Sequence, residues 1–243
     1  MRFRGLAWTA SLVVLLGWMG TSRAESEGGT KVYIALFGGL QTYGMSDVND
    51  GIREGNKEVE GSGFVVDEIR KGAGFGGGIR VWPSSRLSLS FDYMRLAAGT
   101  SSDGLIVGVP VAFKFELPAS AIMATAGYLR SWRSVRYGLG AGGGYYICKG
   151  KIESRAGTER ISFDVKGKGL GFHALAMADV RVSSLRFETA IGYRLAKTAG
   201  LKADGVEILA DDGSKVKADW NGILTRFGIS IPFDPGPYPA AGR

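Results

Sequence analysis

Residues 170–195 read LGFHALAMADVRVSSLRFETAIGYRL. Alternate positions of this stretch separate by chemistry. Leu170, Phe172, Ala174, Ala176, Ala178 and Val180, followed after Ser183-Ser184 by Leu185, Phe187, Thr189, Ile191, Tyr193 and Leu195, form a set without a charge. The intervening set holds His173, Asp179, Arg181, Arg186, Glu188 and Arg194. Side chains of a strand point to opposite faces with period two, so the stretch predicts two antiparallel strands joined by a tight turn, one face apolar and the other charged.

The same alternation recurs along the chain. Punctuation by Gly, Ser, Asp and Asn predicts eight strands, at about 30–39, 73–82, 85–97, 119–130, 135–148, 168–182, 185–197 and 219–233, and no helix. Three joins are short: Pro83-Ser84-Ser85, Ser131-Trp132-Arg133-Ser134 and Ser183-Ser184. The other four, 40–72, 98–118, 149–167 and 198–218, are long and polar, and short and long alternate strictly. Within 98–118, residues 104–117 read as a hairpin extension, with Pro110 arguing against a central strand.

The apolar parity carries Phe75, Ile79, Leu87, Phe91, Leu139, Ile147, Ile223 and Phe227, among others, and no charge. The opposite parity carries Arg80, Arg86, Asp92, Arg136, Asp179, Glu188, Arg194 and Arg226, interleaved with glycines such as Gly76, Gly78, Gly140 and Gly142. Two arrangements satisfy this pattern: a soluble barrel with the apolar face inside, or a membrane barrel with lipid against the apolar face. Loop asymmetry and glycine crowded among charges favour the second, since an eight-stranded barrel is just wide enough for its side chains to fill. The expected fold is all-β: an eight-stranded antiparallel up-and-down transmembrane β-barrel with short periplasmic turns and four long extracellular loops.

Composition agrees. The 243 residues include 39 glycines, about twice the usual share, and a single cysteine, which excludes a disulfide framework. Arg2 and Arg4, an apolar run over 6–19 and Ser22-Arg23-Ala24 predict a signal peptide over 1–24, cut after Ala24. The barrel domain then spans 25–233, and 234–243 is a short Pro-rich periplasmic tail. Without Arg2, Arg4 and Arg23 the chain keeps 27 basic and 23 acidic residues, so its basic character gives little support to nucleic-acid binding.

Within the barrel, the inward charges read as a space-filling polar network of Arg80, Arg86, Asp92, Arg136, Asp179, Glu188, Arg194 and Arg226. Arg80, Asp92, Glu188, Arg194 and Arg226 are expected at its core. Trp82, Tyr93, Tyr137, Tyr193, Trp220 and Phe233 read as membrane-interface aromatics. Seven inward arginines against three acids leave the pairing incomplete. His173 lacks a same-strand acid within reach, and Cys148 reads as inert. No catalytic residue, metal ligand or cofactor is expected.

With these residues placed, the chain over 30–233 resembles the small eight-stranded outer-membrane barrels of Gram-negative bacteria, of the OmpA transmembrane-domain, OmpX and OmpW type. The last strand, Trp220 to Phe233, is similar to the alternating, aromatic-ended signal by which such barrels are recognised for assembly, with Phe227, Ile229, Ile231 and Phe233 as its outward residues. Tyr145-Tyr146 after Gly140 to Gly144 resembles their glycine-rich fifth strand. Pro232 and the ten residues after Phe233 depart from the pattern. The resemblance implies an outer-membrane location, with membrane lipids, lipopolysaccharide and the barrel-assembly machinery as partners, and a structural or surface-interaction role through the loops (envelope integrity, adhesion or partner binding). The alternative it implies is a narrow conduit for small hydrophobic molecules, as in OmpW. Lipid A deacylases resemble this fold too, but they use a Ser two residues after the His, where this chain has Leu175.

Overall fold

A computed structural model describes residues 30–233. The expected leader, its cut after Ala24 and the tail 234–243 lie outside the described residues. Among the described residues the fold is all-β and antiparallel, one sheet of twelve strands with a single helix. The strands are β1 (Lys31–Thr42), β2 (Lys71–Trp82), β3 (Leu87–Leu96), β4 (Gly99–Ile106), β5 (Val109–Glu116), β6 (Ala119–Trp132), β7 (Val135–Ala156), β8 (Glu159–Val182), β9 (Leu185–Thr198), β10 (Lys202–Ala203), β11 (Val206–Glu207) and β12 (Gly222–Pro232). The helix α1 is Ser46–Glu58.

Pairings run from β1 through β2, β3, β6, β7, β8, β9 and β12 and return to β1. The eight expected strands all lie on this circuit. Its short joins are tight: Trp132 pairs with Val135 and Val182 with Leu185, across two-residue turns with Arg133 and Ser183 at positive φ. The seam between β1 and β12 is interrupted. Between Gly38↔Phe227 and Gln41↔Leu224 the Thr225 hydroxyl takes over, accepting from Leu40 N–H at 3.0 Å and donating to Leu40 O at 2.7 Å.

The other four strands lie in segments that read as loops in the sequence. β4 and β5 form a hairpin around Val107-Gly108, both at positive φ, as the right-handed twist of a two-residue turn requires. This is the extension expected over 104–117. Yet β5 is flanked by β4 and β7, with Pro110 at its turn end, where the missing N–H interrupts little. β7 and β8 continue through 149–167 and meet at Ala156↔Glu159. That segment reads as loop because its outward residues change from apolar to Lys, Glu and Arg, although the alternation itself persists.

Helix α1 corrects the expectation that the chain has no helix; it lies within 40–72, which reads as a long polar loop. It buries Val48, Asn49 and Ile52, an i, i+1, i+4 face, and exposes Asp50, Arg53 and Glu54. Met45, in the left-handed region and without a side-chain cap bond, precedes it, so no Ser/Thr/Asp/Asn N-cap marks its start. Two asparagines clamp it to the returning chain. Asn49 donates to Gly44 O and Ile69 O and accepts from Ile69 N–H, and Asn56 donates to Val66 O and accepts from Val66 N–H. No helix among the described residues is long and apolar enough to cross a membrane.

Candidate functional site

The two faces of the circuit differ in the sense that the alternation allows but does not decide. Outward residues are exposed and apolar on every strand of it: Leu36, Phe75, Phe91, Ile122, Leu139, Phe172, Ile191 and Phe227 are each 54–71% exposed. Arg80, Asp92, Arg136, Asp179, Arg186, Arg194 and Arg226 are buried on the other face. A soluble barrel would reverse this arrangement.

The enclosed charges stack in layers. Nearest the short turns, Asp179 receives Arg136 (Nε and Nη2, 3.0–3.1 Å) and Arg186 (Nη1, 2.8 Å). In the next layer Asp92 pairs with both Arg80 and Arg226, the latter at 2.8 Å. Glu188 takes Arg80 Nε at 3.2 Å and the Ser230 hydroxyl. Further from the turns, Arg194 donates to Trp220 O at 2.8 Å and Gln41 Oε1 at 3.1 Å. His173 Nε2 is 2.7 Å from Thr125 Oγ1.

Five buried arginines against three acids are accommodated by aromatic faces. Arg136 lies over Trp82 at 3.3 Å and Arg186 at 4.3 Å; Arg226 lies 4.2 Å over Phe37; Arg194 faces Tyr43 and Tyr146 at 5.7 and 5.9 Å. A guanidinium over a π-face is attracted to it, by about 2 kcal/mol or more when desolvated. Charge counting along the sequence looks for the missing partners among acids; β1 supplies Tyr33 and Phe37 instead.

Three expectations are corrected. Arg86 is exposed at the β2–β3 turn and stands outside the buried network, and Arg186 takes the place expected for it. Arg194 is buried but bonds neutral acceptors rather than the acids. Trp82 and Trp220, expected as interface aromatics, are 5% and 0% exposed: Trp82 floors the lowest arginine layer, and Trp220 packs edge-on against Tyr43. Trp82 shares Arg80's parity, which already points it inward. Tyr93, Tyr137, Tyr193 and Phe233 are 49–52% exposed, and Phe227 and Ile231 face outward with them.

Above the charged layers the enclosed space is apolar, which the strand alternation does not foretell. Met45, Val48, Ile52, Val66 and Ile69, from α1 and its flanks, pack with Met94, Leu96, Leu117, Tyr146, Leu201, Trp220 and Leu224. The helical spacing of Val48, Asn49, Ile52 and Asn56 is the signal that could have found this plug. A cavity of about 50 Å³ remains beside Arg80, Trp82, Glu188 and Arg226. His173 sits within this filled interior, with Leu175 also turned inward. Outside the apolar band, the Glu153 carboxyl is held below its ordinary range by a hydrogen bond from Lys151 and by Arg160.

No family model matches the chain, and no curated protein matches it. Among solved structures, it is similar to a major outer membrane protein from Thermus thermophilus, with 12% identity and a TM-score of 0.48, over 85% of this chain and all of that one.

Proposed function

We propose that the chain is an eight-stranded outer-membrane β-barrel with a plugged interior, serving a structural or surface-interaction role through the segments beyond its apolar band. The observation that carries this reading is the inversion of faces: an exposed apolar belt around all eight strands of a closed pairing circuit, with charged layers inside. An apolar surface far larger than the few hundred Å² tolerated in water needs a cover, and lipid covers a belt from every side. Its height fits. The ten residue steps from Tyr137 to Ile147, at about 3.3 Å each and tilted by about 40°, rise about 25 Å, the height of the apolar band of such barrels. The three short turns and both ends of the circuit lie at one rim, the periplasmic one in this reading; the extended β4–β5 and β7–β8 hairpins lie at the other.

The filled interior favours a display scaffold over a conduit. Two charged layers and an apolar cap fill much of the interior, and no solute is assigned. The buried His173 and Leu175 offer no access to a membrane lipid, so no enzymatic step is assigned.

The test is electrophoretic mobility with and without boiling, on outer-membrane fractions, followed by conductance of the folded protein in planar bilayers. A faster unboiled band in that fraction with no steady conductance is expected. A soluble protein without the shift overturns the barrel; open-channel currents overturn the plug.

A further inference from the structure

The charges on the outer face of the β4–β5–β7–β8–β10–β11 extension are arranged in rows, two of which set like charges opposite one another: Arg155 and Arg160 at the tip, where Glu153 holds Arg160, and a row of lysines beside the apolar band. In the row through β5, β7 and β8 furthest from the apolar band but one, Lys114 stands opposite Glu153. In the row nearer the band, Glu116, Lys151 and Asp164 alternate in sign. Ion pairs Lys114–Glu116, Lys151–Glu153 and Arg160–Glu153, at 2.7–2.9 Å, knit these two rows together. The next row is Lys149 on β7, Lys166 on β8 and Lys202 on β10, directly opposite one another and all exposed. Lys168 lies opposite Ile147, and Lys197 opposite Leu170, on the two strands immediately below.

Like charges directly opposite on adjacent strands are destabilising. Among the described residues, none of these five lysines forms an ion pair; Lys202 stands opposite Glu207, which Lys215 already holds at 2.6 Å, and Lys197 stands opposite the buried Asp219. Neighbouring strands are about 4.8 Å apart, so the three ammonium groups of the row span about 10 Å. Directly beneath them the face turns apolar, with Ile147, Leu170, Tyr145 and Leu195 exposed. A cation cluster of this width, unmatched on the protein and resting on the rim of an apolar band, is complementary to an anion whose other end is hydrocarbon.

We infer that the row Lys149–Lys166–Lys202, with Lys168 and Lys197, binds the phosphate groups of a lipid in the leaflet that surrounds this rim, with the acyl chains lying along Ile147, Leu170 and Leu195. The inference rests on the membrane-barrel reading. Phosphate is the shared chemistry, and the lipid-borne form is favoured by the apolar surface below the row.

The experiment uses the full-length chain folded in detergent, with native mass spectrometry of adducts formed by a bisphosphorylated glucosamine lipid, by its dephosphorylated counterpart and by inorganic phosphate. Heat-dependent mobility is scored in parallel. A combined K149Q/K166Q/K202Q variant that keeps the mobility shift but binds the phosphorylated lipid about 100-fold more weakly is expected, at about fivefold per lysine near a charged lipid surface. The K149R/K166R/K202R variant retains binding. Unchanged binding by the glutamine variant, equal binding of the dephosphorylated lipid, or displacement of the lipid by inorganic phosphate at equal concentration overturns the lipid-phosphate site and leaves the barrel standing. Loss of the mobility shift in the parent protein overturns the barrel reading, and the site with it.

Discussion

The guanidinium of Arg136 lies over the indole of Trp82, its central carbon 3.3 Å from the ring centroid, while its nitrogens hold Asp179. The two residues stand on different strands, β7 and β2, across the enclosed space. One side chain thus serves an acid through its nitrogens and an aromatic face through its central carbon, which Lys has no planar fork to do. Arg136→Met and Trp82→Leu are each expected to lower stability by about 3 kcal/mol. The double variant should cost about 1–2 kcal/mol less than the two combined, read from denaturant midpoints of the mobility shift. Strict additivity would separate the two residues.

Asn49 holds the plug through three hydrogen bonds, two of them to the backbone of Ile69. Asn49→Ala leaves a buried N–H and C=O at Ile69 without that partner, at a cost of about 2–3 kcal/mol. Hydrogen exchange at Ile69 should accelerate strongly while β7 and β8 stay protected. Conductance should stay absent, because the charged layers below are independent of α1; a channel appearing in this variant would show that the plug alone closes the interior.

Gly142 sits where a Cβ would come 2.0 Å from Ala124 O and 2.8 Å from His173 Nε2. Neither neighbour has room to retreat in the filled interior. Gly142→Val is expected to abolish the heat-shifted band, whereas Gly51→Ala, on the open face of α1, should fold and gain about 0.5–1 kcal/mol. A shifted band of normal yield from Gly142→Val would place that position on a looser wall.

Acid should loosen the distal end of the β7–β8 hairpin. The Lys151 hydrogen bond, then Arg160, hold Glu153 below its ordinary value of 4.5, so the carboxylate's contribution is complete above that value and is lost as pH falls through the lowered one. Proteolysis near Gly157 should therefore rise below about pH 4.5, and Glu153→Gln should show the faster cleavage already at neutral pH. An identical pH profile in both proteins would remove Glu153 from the account.

Six of the circuit strands are legible because exposed apolar and enclosed charged residues alternate with period two; β1 and β6, whose enclosed residues include Tyr33, Phe37, Met123 and Leu129, carry the signal more weakly. Trp82 can be placed by the same parity, two residues from Arg80. Three features are less legible. The outer ends of β7 and β8 carry lysines where apolar residues stop, so the change of environment looks like a change of structure. Helix α1 contains Gly51 and Gly55 and no capping residue, and its buried face is short. The aromatic partners of the surplus arginines come from β1, β2, β7 and the segment after β1, and no sequence spacing announces a contact between such distant positions.

The Thr225 hydroxyl on the β1–β12 seam joins positions 185 residues apart. Every other pairing of the circuit links neighbours along the chain through a hairpin or a nearby connection, so this is the contact with the greatest loop-closure cost. Until it forms, five arginines line an open trough instead of a closed interior, and hydrocarbon is a poor solvent for them. In the proposed membrane reading, the open trough calls for shelter from lipid, and the Thr225 hydroxyl at Leu40 closes it.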